Sequence, residues 1–183
     1  LAAIGAANGG HQPAYGQDVY TARLQEVIAE QFGDGAEVYP VFNGTGANVV
    51  ALTSVLPRWG GAVVTAATAH IHTDEAGAPR TDDGGSNCSR SRPPRRQADP
   101  PELVAQEAWA GGDEHRAQPL AVSITQTTEM GTVYTPDEIR AVTEYAHARG
   151  MAVHMDGSRL WNAAASLGVP LRAITSDVGV DVL

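Results

Sequence analysis

The chain reads as a single α/β domain with a mostly parallel sheet and flanking helices. Three observations predict it. Short apolar runs alternate with amphipathic helical segments, a capped helix lies between two of those runs, and an acidic residue stands where the last run should end. The runs are Gly61–Thr65, Leu120–Ile124 and Met151–Val153, and the helix between the second and third opens at Thr135. Strand, helix, strand in that order is the crossover unit that builds parallel sheets. A length of 183 residues suits one sizeable core, with no internal repeat or sustained heptad to suggest a solenoid or coiled coil.

Each element has a local reason. Gly9 to Gly16 carries turn chemistry throughout and predicts an exposed loop. From Asp18 to Phe32, the residues Val19, Leu24, Val27, Ile28 and Phe32 recur at helical spacing, Arg23, Glu26 and Glu30 take the other side, and Gly33 stops the helix. Glu37 to Phe42 reads as a strand despite Pro40 and runs into Asn43-Gly44-Thr45-Gly46, after which Ala47 to Leu56 is helical. Residues 79–101 break this texture: Gly84 to Arg96 has almost no aliphatic side chains and holds a third of the arginines, a composition that predicts a disturbed, disordered segment. A short helix is expected from Glu102 to Trp109. Thr135 as N-cap, Pro136 at the first position and Glu138 closing a capping box open a helix that Gly150 ends. Leu160 to Ala165 is the last helical segment, with Leu160 and Trp161 expected in the core.

Composition excludes several classes of partner. A net charge of −9 disfavours nucleic acid and anionic membrane surfaces, both of which call for a basic face. A lone Cys88 offers no intramolecular disulfide and fits a reducing compartment, so a cytoplasmic location is expected. Leu1 to Gly5 has no basic region and no apolar core of an export signal, and no apolar run approaches membrane-spanning length. All 12 basic residues counted as Lys+Arg are arginines. Chemistry that needs a side-chain primary amine cannot be completed within these residues.

Several stretches could carry chemistry. Asp156, at a strand's carboxyl end and followed by Gly157 and Arg159, sits where open α/β sheets bind ligands; a helix-capping aspartate beside a surface arginine is the alternative. Asn43 to Gly46 lies between a strand and a helix, where free amides and the helix dipole favour an anion, or else it is an ordinary turn. His70, His72, Asp74 and Glu75 are metal-ligand types in close succession. On a strand the first three would share a face, with His154 or Asp156 completing a metal-dependent hydrolase site; an imidazole could instead stack on a flat cofactor. Ser123 and Ser158 have no nucleophile-elbow context, which leaves a serine-hydrolase triad unsupported.

Four of these stretches, in order, resemble the threonine aldolase and aromatic amino acid β-eliminating lyase family of pyridoxal-phosphate enzymes. They are Tyr39 to Asn48, Ala69 to Ile71, Ile124 to Tyr134, and His154 to Arg159. The resemblance implies part of the large domain of the aminotransferase-like fold over residues 1–183, truncated at both ends, and a homo-oligomer when full length. It implies pyridoxal 5'-phosphate as cofactor, its phosphate at Gly44 and Thr45, His70 stacked on its ring, Gln126 near the ring, and Asp156 paired with the ring nitrogen. Arg159 would take the carboxylate of a small amino-acid substrate. The implied reaction cleaves threonine or allo-threonine to glycine and acetaldehyde, with His70 one candidate for the base and no metal involved.

Two departures stand out. The family continues past a segment like Gly179 to Leu183 to the lysine that holds the cofactor, and the present residues stop before it; on their own they are expected to be inactive. Thr128 stands where several relatives have a histidine. In the disturbed segment, relatives have a strand followed by a turn such as Pro-Asp-Gly-Lys-Leu-Thr-Pro. Encoded in GC-rich codons and read out of frame, that turn gives Pro-Arg-Arg-Gln-Ala-Asp-Pro, which is Pro94 to Pro100. A frame change here, with the usual frame restored by Glu102, would leave the arginine cluster without a function. Beside the aldolase reading stand a metal-dependent hydrolase using His70, His72 and Asp74, and a non-catalytic relic whose cut sheet leaves open edges.

Overall fold

The computed structural model describes residues 1–56, 61–78, 87–90 and 112–183. They divide into two units, Leu1–Pro40 and Val41–Leu183. The first holds α1 (Ala2–Ala7) and α2 (Val19–Phe32). Asp18 caps α2 by accepting hydrogen bonds from the Tyr20 and Thr21 amides, and the Thr21 hydroxyl first, then these amides, hold its carboxyl below the usual value. On the expected apolar face Phe32 is buried, Leu24, Val27 and Ile28 are half-buried, and Val19 is exposed.

Residues 37–42 do not form the expected strand. Pro40 lacks an amide donor, and the Val38 amide and carbonyl are both taken by the Gln25 side chain, at 3.2 and 2.8 Å, instead of by a neighbouring strand.

The second unit is built on four parallel strands in the order β2-β1-β3-β4: β1 (Gly61–Thr65), β2 (Asn87–Arg90), β3 (Gln118–Thr125) and β4 (Ala152–Asp156). β2 falls inside the stretch expected to be structureless; the rest of 79–101, and the helix expected from Glu102 to Trp109, lie outside the described residues. The helices are α3 (Gly44–Val55), the single turn α4 (His70–Thr73), α5 (Pro136–His147) and α6 (Leu160–Leu167). α5 starts on the expected capping box: Thr135 accepts from the Glu138 amide, and Glu138 accepts from the Thr135 amide at 2.7 Å.

The core has a simple logic. Leu52 on α3, Val63 on β1, Ala121 on β3 and Ile71 on α4 pack as one buried cluster. Ile139, Val142 and Ala146 of α5 are buried, and that helix meets β4 and two short 3-10 turns, Leu171–Ile174 and Ser176–Val178. Beyond them, Val182 pairs in parallel with His154, continuing the sheet at the free edge of β4. A Cβ at Gly157 would stand 2.6 Å from the end of the Leu183 side chain, which would have to shift. Among the described residues no helix is long and apolar enough to cross a membrane.

Candidate active site

Parallel register decides what meets at the carboxyl edge of the sheet. Ser123 lies beside His154, and Thr125 beside Asp156. His154 and Asp156 are two residues apart on β4, so their side chains share one face. His154 is buried, its Nδ1 2.8 Å from the Ser123 hydroxyl, and burial pushes it down to about 4 against the opposing pull of Asp156. It is therefore neutral at pH 7. The Ser–His pair lies inside the sheet and gives no exposed nucleophile, in keeping with the absence of an elbow motif.

Asp156 reaches the edge. Its Oδ1 accepts the Ser158 amide at 3.0 Å, and its Oδ2 lies 3.4 Å from the Asn48 Nδ2 of α3. The same Asn48 nitrogen donates at 2.6 Å to Glu75 Oε1, which also meets His70 Nδ1 at 2.8 Å. The Glu75 side chain is fully buried, and among the described residues its Oε2 has no hydrogen-bond partner. Its hydrogen bond raises His70 above the ordinary imidazole value, partial burial pulls the other way, and the charges of Glu75, Asp156 and Asp74 add to the rise. The His70 ring is 43% exposed and can meet a ligand.

Arg159, at the start of α6, donates from Nε to the Thr127 carbonyl at 3.0 Å and from Nη2 to Glu129 Oε1 at 3.1 Å. Gln126 is fully buried, and its amide is spent on the Tyr134 backbone, donating to the carbonyl at 2.8 Å and accepting from the amide at 3.0 Å. In this arrangement it shapes the loop behind the site. Asn43 caps α3 through the Gly46 amide at 2.8 Å, and among the described residues the Gly44 and Thr45 amides remain as donors of a helix start. A Cβ at Gly44 would meet nothing within 4 Å, so space lies open there.

His70, Gly44, Thr45, Asp156 and Arg159 thus lie in one unit, Asp156 at the carboxyl end of β4 and the others at the starts of α4, α3 and α6. The metal reading does not hold. His70 and His72 lie on a helical turn, where residues two apart diverge, and among the described residues no group of three or more metal-ligand side chains converges. Trp161 is 65% exposed, contrary to expectation, while Leu160 is buried; on α6 neighbouring residues point to different sides. Sequence reading missed Asn48 and the role of Glu75. Asn48 is a polar residue on the buried side of α3, and Glu75 stood out only as one of a run of ligand-type residues.

A parallel sheet with ligand-type side chains at its carboxyl edge is the layout of an open α/β ligand-binding fold, and the solved structures this chain resembles make that fold aminotransferase-like. A solved aspartate aminotransferase from Thermus thermophilus shares that fold, with a TM-score of 0.57 at 16% identity over 84% of this chain and 39% of its own. The chain belongs to the β-eliminating lyase family, whose model matches residues 1–183. It is similar to the low specificity L-threonine aldolase of Pseudomonas sp. (strain NCIMB 10558), with 40% identity over all of this chain and 52% of the relative. The Escherichia coli (strain K12) enzyme of that name is 31% identical over 88% of this chain and 47% of its own length. The solved Leishmania major threonine aldolase superposes with a TM-score of 0.86 at 27% identity, covering 95% of this chain and 51% of its own. The chain spans about half the length of the curated relatives it matches.

Proposed function

We propose that the whole protein is a threonine-aldolase-type lyase that uses pyridoxal 5'-phosphate to cleave threonine or allo-threonine into glycine and acetaldehyde. The observation that carries this reading is Asp156, held at the carboxyl edge of β4 by the Ser158 amide and linked through Asn48 and Glu75 to the exposed His70 ring. The residues fit the cofactor. Open space at Gly44 and the amides of a helix start at Gly44 and Thr45 suit a phosphate, and the Asp156 carboxylate suits a protonated ring nitrogen. When bound, the cofactor supplies an electron sink for the pair released as the Cα–Cβ bond breaks.

The chain's own residues do the rest. Asp156 would keep the ring nitrogen protonated. Glu75, by holding Nδ1, sets the His70 tautomer and leaves Nε2 to flank the ring or to take the proton of the substrate hydroxyl. Arg159 would bind the substrate carboxylate. These 183 residues contain no lysine, so the amine that holds the cofactor must come from outside them, and alone they are expected to be inactive. The same reading makes the whole protein a homo-oligomer of the cytoplasm.

The test is to express the complete open reading frame, add cofactor and follow acetaldehyde from L-threonine and L-allo-threonine. Release of pyruvate and ammonia from serine, without acetaldehyde from either threonine, would replace aldol cleavage with β-elimination. A lysine-type absorption band formed by the 183 residues alone would overturn the expectation that they are inactive.

A further inference from the structure

Arg159 is held by one edge only. A guanidinium carries its donors in a rigid planar fork, so the atoms already engaged decide which face a ligand can use. Nε and Nη2 form the side-on edge, and they are taken by the Thr127 carbonyl and by Glu129 Oε1. Among the described residues the Nη1 group has no hydrogen-bond partner, so the end-on face is open to a carboxylate. The oxygen of Glu129 that holds Arg159 also accepts the His70 amide at 3.2 Å, which joins the start of α4 to the guanidinium through one atom.

Glu129 is itself placed firmly. It sits on a tight loop closed by the Thr128 amide on the Thr132 carbonyl at 3.0 Å, the Gly131 amide on the Thr128 carbonyl at 2.9 Å, and a Thr128–Thr132 hydroxyl pair at 2.8 Å. Gly131, with a φ of 76°, permits the turn. The Glu129 side chain is 18% exposed against 36% for Arg159, so its charge is only partly screened.

We propose that Glu129 is the positioning and specificity residue of the carboxylate subsite. It clamps the side-on edge of Arg159, leaves the end-on edge for one ligand carboxylate, and turns away ligands that carry a second carboxylate close by. This rests on reading Arg159 as the substrate-carboxylate ligand. The charge arithmetic is direct. Glu129 and Arg159 cancel, a monocarboxylate leaves the subsite with one net negative charge, and a dicarboxylate leaves it with two beside an acid that cannot move away.

The test is binding by NMR, with acetate and malonate as probes at constant ionic strength and the backbone amides of His70 and Ser158 as reporters. Glu129→Gln keeps an acceptor oxygen and removes the charge; it should raise malonate affinity relative to acetate about fivefold, as expected for one partly screened charge nearby. Glu129→Ala, which frees the guanidinium, should weaken both probes. An unchanged malonate-to-acetate ratio in Glu129→Gln, together with lost binding in Arg159→Ala, would overturn the role of Glu129 and leave Arg159 as the carboxylate ligand. Binding of both probes undiminished in Arg159→Ala would instead overturn the reading of Arg159, and the inference with it.

Discussion

Two residues on one face of β4, His154 and Asp156, live in opposite environments. His154 lies inside the sheet with its Nδ1 on the Ser123 hydroxyl, and burial keeps it neutral. Asp156, one pleat further on, is met by an amide, an asparagine and, through that asparagine, a second acid and an imidazole. The difference teaches that depth along a parallel strand sets what a titratable group can do. Within the sheet, neighbouring strands exclude water and the cost of charge is high. At the carboxyl end, loops and helix starts bring donors that make a charge tolerable.

The comparison can be broken most strongly at its charged end. Asp156→Asn in the complete enzyme keeps the shape and removes the charge, and it should lower turnover by about 10²- to 10³-fold, as losing one preorganised electrostatic partner does. Threonine cleavage at saturating cofactor measures this. A loss below tenfold would mean that Asp156 is a helix-start residue without a part in the chemistry.

The neutral end should declare itself in acid. The folded-state value of His154, about 4, lies below the ordinary 6.5, so the unfolded chain binds the extra proton first as pH falls. The contribution is complete above pH 6.5, falls as pH drops, and is gone below about 4; the total is about 3 kcal/mol. Denaturant unfolding at stepwise pH should show it. The loss should flatten in His154→Gln, which has no proton to gain in that range.

A smaller change sharpens the boundary between the two environments. Glu75→Gln removes the charge that raises His70, so the midpoint of His70, followed by ring-proton NMR, should fall toward the ordinary imidazole value. The sign also predicts a stability term. With His70 raised in the folded state, its pairing with Glu75 stabilises below the unfolded value and is lost as pH rises through the folded one. His154 should keep its low value in the same variant. Smallest of all, Thr135→Ala removes the cap of α5, away from both groups. It should cost about 1 kcal/mol of stability and leave the titrations of His70 and His154 in place.

Much of the fold was legible because local rules agreed with one another. The capping box at Thr135, the stop at Gly150 and the short apolar runs gave α5, β3 and β4 with nearly their observed limits. The strand expected over residues 37–42 failed because pairing is a tertiary matter: Gln25 satisfies the Val38 backbone where a strand neighbour would have been needed. The candidate site residues Asp156, His70 and Arg159 were picked out by motif order, since each stands at a junction of elements. The contacts of Asn48, Glu75 and Glu129 were not legible, because they are made with residues 27, 5 and 30 positions away along the chain.

By itself, then, the sequence determined most of the element types outside residues 37–42 and 87–90, the parallel order implied by β3-α5-β4, the acid at a strand end and the absence of any lysine. Those follow from propensity, capping and composition, which are properties of neighbours in the chain. Only the tertiary structure decided which acids share one hydrogen-bonded network, that His154 is neutral, and that His70 and His72 diverge instead of meeting at a metal. Each of those depends on side chains brought together across the sheet, where burial sets the cost of a charge and the available partners decide whether it is met.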